Sequence, residues 1–403
     1  MIKREQYLSK LHEMKGEPLI KVISGVRRSG KSTLLEMFRD ELLAEGVAKE
    51  QITFINFEDP EQVANADYLS IYRRIKKHLA PNQQNYVFLD EIQNVEEFEK
   101  LADGLFIQKN IDLYITGSNA YFLSSELATL LTGRYIEMKI LPLSFAEYVS
   151  AFADQSRSDL LFNGFVKNGA FPLAAQLQQE KPLLVREYLQ GIYNTVLFKD
   201  VISRSGVSDR EVLEHIAHFL MDNIGNFTSP KKIADYMGTN YRKVAPQTVD
   251  AYLTALTDSF IVYRAGRYDV RGKQFLQTQQ KYYLVDTGLR TALLGDKGEV
   301  DRGRLLENVV YLELLRRGND VWVGKSDTGE IDFVSKNHHS GEFAYYQVAD
   351  TVMDKSVLER ELKPLQNTPD HNPRFLLTKD FGEYNFDGIK QLNVIDWLLL
   401  KNL

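Results

Sequence analysis

The 403-residue sequence has no cysteine, only two tryptophans and seven histidines, and no apolar run approaching the length of a membrane span. Without cysteine there is no disulfide, thiolate zinc site or cysteine nucleophile, which suits a reducing cytoplasm. The histidines are scattered without metal-ligand spacing, and His338-His339 falls in a polar loop. The opening MIKREQYLSKLHEMKGEP lacks the apolar core of a signal peptide. A soluble cytoplasmic protein with no membrane partner is expected. The 49 basic and 55 acidic side chains leave a net charge of −6, which excludes coating nucleic acid by bulk charge and confines any DNA contact to a local basic face. Charged residues at 26% and hydrophobic ones at 44% are ordinary for a globular chain, so a disordered acidic tail and a collagen-like fibre are excluded. The length predicts about two to four domains.

What is present first is an alternation. Apolar, strand-like runs at 18–26, 51–60, 86–93, 112–119 and 134–140 are separated by helix-periodic stretches at 31–43, 68–79 and 96–108. Strands that are apolar throughout, alternating with helices, predict a parallel sheet covered on both faces: an α/β domain over 1–145. Residues 146–223 turn helical, with a structural turn at NGAFP (168–172), and are expected to pack on the first domain as a lid. Within 224–300 the order is a helix from Ser229-Pro230 broken by Gly238, a turn, a second helix in PQTVDAYLTALTDS, and a two-strand wing in SFIVYRAGRYD. That order predicts a winged helix-turn-helix. The remainder, 301–403, reads as helix, three strands, helix, strand and a terminal apolar segment.

Gly25-Val26-Arg27-Arg28-Ser29-Gly30-Lys31-Ser32 fits G-x-x-x-x-G-K-[ST] between a predicted strand and a predicted helix, the context a P-loop requires. Glycines let backbone N–H groups curl around phosphate oxygens, and the helix N-terminus adds partial positive charge. Lys31 would reach the β and γ phosphates, Ser32 would ligate Mg²⁺, and Thr33 is close enough to touch a phosphate. Gly25, Arg28, Ser29 and Gly30 complete the cofactor-binding set; for Arg27 and Arg28 a solvated loop face is the other reading. Asp90-Glu91 ends the apolar strand YVFLDE about 60 residues on. Asp90 is placed to hold the metal through water and Glu91 to activate the water that attacks the γ-phosphate. Asn119, or Ser118 in its place, ends the next strand where an amide could orient that water; a turn or cap is the alternative. Arg134 precedes the last strand of the domain and could reach a phosphate in an adjacent subunit, which implies a homo-oligomer, or be an ordinary surface arginine.

GVRRSGKSTLLE, YVFLDEIQNVEEFEK, YITGSNAYFLSSELATLLTGRYIEMKILPLSFAEY and the later LENVVYLELLRRG with GEIDFV together resemble the bacterial and archaeal AAA+-related ATPases whose C-terminal part has a restriction-endonuclease-like fold. The similarity covers nearly the whole chain. It implies a P-loop NTPase domain of AAA+ type that binds ATP with Mg²⁺, a helical lid, a winged helix and a C-terminal α/β nuclease-like domain. By the same resemblance Asn119 corresponds to the sensor position and Arg134 to a candidate arginine finger. Glu307 and Asp332 match the acids of such nuclease sites, but Gln347 and Ala349 stand where an acid and a lysine are expected. Alanine cannot polarise water, so a binding domain without nuclease activity is expected unless Lys355 moves into the site.

Around the winged helix, Lys231, Lys232, Tyr241, Arg242, Lys243, Arg264, Arg267, Arg271 and Lys273 supply the local positive charge that phosphate neutralisation needs. The helix PQTVDAYLTAL offers few side chains suited to base edges, and winged helices also serve as packing modules. Three readings follow: an Mg²⁺-dependent ATPase that couples nucleotide state to domain arrangement, a nucleotide-switched DNA-binding module with little hydrolysis, and an ATP-regulated nuclease. The first is favoured.

Overall fold

The computed structural model describes residues 2–63, 67–118, 133–202, 209–296 and 298–400. The five expected apolar runs are strands: β1 (Ile20–Ser24), β2 (Ile52–Asn56), β3 (Asn85–Asp90), β4 (Ile111–Gly117) and β5 (Tyr135–Lys139). They pair in parallel in the order β2-β3-β4-β1-β5. Every residue of β1 and β3 is buried because helices cover both faces. Alternation along β3 decides which residue meets which layer. Val87 and Leu89 pack with Ile71 and Ile75 of α3 (Tyr68–His78) and Leu101 and Leu105 of α4 (Phe98–Phe106). Tyr86 and Phe88 pack with Leu8 and Leu11 of α1 (Glu5–Met14) and Leu34 and Phe38 of α2 (Lys31–Ala44). Asp67 caps α3 by accepting from the Ser70 N–H at 2.8 Å, and Lys76, Lys77 and His78 complement the dipole at its far end.

One charged pair lies inside this apolar sandwich. Lys21 of β1 donates to Asp112 of β4 at 2.5 Å, with side chains 0% and 1% exposed. The same carboxylate accepts from the Gly16 N–H at 2.8 Å and the Tyr114 hydroxyl at 2.9 Å, while Lys21 also donates to the Glu17 carbonyl at 2.6 Å. Three donors thus reach the carboxylate and two acceptors the ammonium, the kind of hydrogen bonding that lets a buried ion pair be tolerated.

By contacts the chain divides into two units, Met1–Ile140 with Asp258–Phe260, and Leu141–Thr257 with Ile261–Leu403. The helices after the first domain, α5 (Phe145–Ser150), α6 (Ser158–Asn168), α7 (Pro172–Glu180) and α8 (Val185–Thr195), belong to the second unit. Within that unit α6 and α8 pack on α12 (Thr287–Leu294). The NGAFP turn explains the choice of partner. A Cβ at Gly169 would lie 2.2 Å from Asp286 Oδ1, and one at Gly288 2.5 Å from the backbone of Asn168 and Gly169. Asp286 accepts from the Ala170 N–H at 2.5 Å and caps α12 through the Leu289 N–H. Burial raises the carboxyl to about 6 against the pull of those N–H groups.

Between these helices lie α9 (Arg210–Asp222), α10 (Pro230–Asn240) and α11 (Pro246–Asp258), followed by the hairpin of β6 (Val262–Asp269) and β7 (Gln274–Leu284). Gly238 sits within α10 and does not break it; the helix ends two residues later. The wing differs more. Within SFIVYRAGRYD, Val262–Asp269 is one strand, with Gly266 at a bulge between Ala265 and Arg267 where a turn was expected. The turn comes after it, where the Asp269 carboxylate accepts from the Gly272 N–H at 2.9 Å.

That hairpin is continuous with the C-terminal strands. β8 (Asn319–Ser326), β9 (Gly329–Asn337), β10 (Phe343–Val348), β11 (Arg374–Thr378), β12 (Tyr384–Phe386) and β13 (Ile389–Asn393) form an eight-stranded sheet with it, in the order β12-β13-β11-β10-β9-β8-β6-β7. β6 pairs in parallel with β8 from Arg267↔Val323 to Asp269↔Lys325. The expected boundary at 300/301 is therefore not a break in the sheet. Helices α13 (Arg302–Arg316) and α14 (Lys355–Gln366) pack on it, and α15 (Val394–Leu398) follows β13.

Asp112→Asn is expected to destabilise the protein by about 3–5 kcal/mol, because it strands the Lys21 ammonium without a counter-charge. Urea unfolding of the two proteins side by side checks this.

Candidate nucleotide site and the acidic cluster of the C-terminal sheet

Parallel pairing puts the ends of β1, β3 and β4 at one edge of the five-stranded sheet. The crevice outside the carboxyl ends of such strands is where α/β proteins hold ligands. β1 leads into the loop Gly25–Gly30, and Gly30 caps α2 in the left-handed region at φ 98°. Gly25 is irreplaceable on two counts. Its φ of 145° disfavours L side chains, and a Cβ there would lie 2.3 Å from the Ile140 carbonyl oxygen. Lys31, Ser32 and Thr33 then form the first turn of α2, whose N–H groups have no intrahelical acceptor.

Lys31 is 3% exposed, and its ammonium donates to the Gly25 and Val26 carbonyls at 3.0 and 3.3 Å. It also lies 3.5 Å from Glu91 Oε1. Asp90 and Glu91, 1% and 6% exposed, are tied together by one hydroxyl from the neighbouring strand: Thr116 donates to Asp90 Oδ1 at 2.6 Å and accepts from the Glu91 N–H at 2.8 Å. Glu91 turns out of the strand with φ 52°. Gln93 donates its amide to Glu91 Oε2 and, at 3.4 Å, to the buried Ser118 hydroxyl.

The two acids are pushed in opposite directions. Burial raises Asp90, and the hydroxyls of Thr116 and Ser32 draw it only part of the way back. Burial would raise Glu91 as well, but the Lys31 ammonium, the Gln93 amide and the Arg27 guanidinium outweigh it and hold Glu91 below the usual carboxylate range. Asp90 Oδ2 is buried with no hydrogen-bond partner among the described residues, and Ser32 opens α2 beside it. A carboxylate oxygen and a hydroxyl at that spot fit a hard divalent cation that keeps part of its water shell.

Of the remaining expected residues, Ser29 is fully buried and Arg28 is exposed in the left-handed region at φ 66°. Arg27 is held by Glu58 at 2.9 Å. Asn119 lies outside the described residues. Arg134 is not part of its own chain's site. Because β5 pairs with β1 from Ile20↔Tyr135, Arg134 sits at the edge where β1 begins, roughly 17 Å of strand away from Gly25. There it pairs with Asp103 and lies over the Phe106 ring at 5.8 Å. Sequence reasoning missed Arg4, which is 4% exposed and donates to the Ser29 carbonyl at 3.1 Å, fixing the loop to the start of α1. Only its place in a KRE cluster before an amphipathic helix marks it in the sequence.

A profile described as an AAA domain matches residues 17–149, and one described as a domain of unknown function matches 161–299. A protein of Haemophilus influenzae, described as uncharacterized, is 41% identical over 404 residues, covering 99% of each chain. The chain belongs to that protein's family, and its first part is an AAA domain. An uncharacterized protein of Methanocaldococcus jannaschii is 28% identical over 395 residues, 94% of this chain and 85% of that one. A Walker-type ATPase of Pyrococcus abyssi superposes with a TM-score of 0.52 at 15% identity, over 73% of this chain and 96% of its own, and shares the fold. No helix among the described residues is long and apolar enough to cross a membrane.

Away from the AAA domain, Glu307 of α13 and Asp332 of β9 do come together, with a cation that was not anticipated. Lys281 of β7, 4% exposed, reaches Glu307 at 2.8 Å and Glu330 at 2.5 Å, and the Tyr283 hydroxyl donates to Glu307 at 2.5 Å. Asp332 accepts from the Val348 N–H at 2.8 Å; burial, then the nearby Glu307 charge, lifts it well above the ordinary carboxylate range despite Lys281. Gln347 spends its carbonyl on the Asp332 N–H at 3.3 Å and its amide on Glu361 at 2.8 Å. Lys355 does not enter: its side chain is 88% exposed and lies 3.8 Å from Glu359. No group of three or more histidine and carboxylate ligands suited to a metal occurs among the described residues.

Gly25→Ala is expected to cost at least about 1–3 kcal/mol through the forced change of backbone conformation. Comparing its urea midpoint with that of the parent checks this.

Proposed function

We propose that the protein is an Mg²⁺-dependent ATPase of AAA+ type, in which Gly25–Gly30, Lys31, Ser32 and Thr33 hold the triphosphate and Asp90 and Glu91 serve the metal and the water. The observation that carries this reading is the convergence of Lys31, Asp90 and Glu91 at the end of the P-loop, with one Asp90 oxygen buried and unpartnered. Bound Mg²⁺ would supply charge neutralisation on the phosphates. Lys31 would exchange the loop carbonyls for phosphate oxygens, which is a better match for an ammonium. Glu91, ionised at neutral pH because of the cations around it, would take a proton from the attacking water. The loop N–H groups and the start of α2 would orient the chain of phosphates. Asn119 remains the candidate for orienting the water, and Arg134 for acting on a neighbouring subunit's nucleotide, in keeping with its distance from its own site.

Turnover tests this. Wild type is expected to hydrolyse ATP with Mg²⁺, Lys31→Ala to lose binding and activity, and Glu91→Gln to bind ATP while kcat falls by about 10²–10⁴-fold. Hydrolysis by the wild type no faster than by Lys31→Ala would leave only a nucleotide switch.

Residues 224–300 are proposed to act as a winged helix and 301–403 as a nuclease-like fold used for binding. DNA contact is supported by Lys231, Lys243, Arg264 and Lys273, which are all exposed around α10 and the β6–β7 hairpin. The absence of a lysine at Ala349, together with Gln347 committed to Glu361, argues against cleavage. In a titration of duplex DNA, Lys243→Ala with Lys273→Ala is expected to weaken binding alike for all sequences and to reduce the dependence of log K on log salt by about 2. A salt-independent affinity would contradict DNA contact through this face.

A further inference from the structure

We propose that Gln93 is a second catalytic residue of the ATP site, orienting both Glu91 and the attacking water. The proposal rests on the ATPase reading above. An amide has two protons to donate and one carbonyl oxygen to accept with. Here the nitrogen faces Glu91 Oε2 and the Ser118 hydroxyl, the first of which can only accept. That fixes which end of the amide is which. The carbonyl oxygen is therefore turned away from Glu91, buried, and without a hydrogen-bond donor among the described residues.

Glu91 is thus gripped from two sides, by the Lys31 ammonium near Oε1 and by Gln93 at Oε2. The 3₁₀ turn Ile92–Asn94, which carries Gln93, starts directly after Glu91 in its left-handed conformation. Its geometry folds residue 93 back onto residue 91. The Gln93 amide thus holds the Glu91 carboxylate with its nitrogen and keeps its carbonyl as a second acceptor with no donor of its own among the described residues. One water molecule can donate one proton to each. In the reaction the water oxygen bonds to the γ-phosphorus, its proton passes to Glu91, and the bond to the β–γ bridging oxygen breaks with the electron pair leaving on ADP. The second proton stays on the new phosphate, held until then by Gln93.

ATP turnover and calorimetric ATP binding of Gln93→Ala and the nearly isosteric Gln93→Glu test this against wild type. In both, kcat is expected to fall about tenfold or more while ATP affinity stays within about threefold. An unchanged kcat, or a change in KM alone, in the Gln93 variants overturns the assignment. If Glu91→Gln abolishes turnover and the Gln93 variants do not, the assignment alone fails. A wild type no faster than Lys31→Ala removes the ATPase reading and the assignment together.

Discussion

Pairing of β3 with β4, and of β4 with β1, brings the Lys31 ammonium within 3.5 Å of Glu91, and the chemistry at this edge of the sheet follows from that approach. Two adjacent buried carboxylates would repel each other and take up protons. The ammonium prevents this on one side only. Glu91, nearer the cations, is kept ionised, while Asp90 is left dependent on hydroxyls and on whatever charge can be brought to its bare oxygen. A pair of like groups is thereby split into two with different tendencies, which is how neighbouring acids acquire separate tasks.

The second unit solves a similar electrostatic problem by different means. Glu307, Glu330 and Asp332 converge beneath the β6–β7 hairpin, and the neutralising charge is Lys281, delivered by β7 itself. Burial works against that ammonium, but the three acids around it raise its proton affinity nonetheless. A built-in cation makes the cluster self-sufficient. It also fastens the hairpin to the helix α13 and strand β9 that carry the acids.

Much of the AAA domain was legible because its signals are local. A strand, a glycine loop and a helix are contiguous in 18–44, and DE at the end of an apolar run needs only alternation to be placed at a sheet edge. Residues whose role depends on distant partners were not legible. Arg4 reaches the loop across 25 residues and Lys281 meets Glu307 across 26. Nothing in KREQ or QQKYY announces either. How far Arg134 lies from the loop was not legible either, because that distance follows from the register of β5 on β1. The wing was misread for a related reason: glycine marks both bulges and turns, and only pairing distinguishes Gly266 from Gly272.

The shared sheet of the second unit has a mechanical meaning. Force applied at the hairpin tip, near Lys273, passes through β6 into β8 by rows of peptide hydrogen bonds, with no linker in between to absorb it. A hairpin mounted this way resists bending like a beam built into a wall. Whatever it grips would be moved by rotating the entire C-terminal slab.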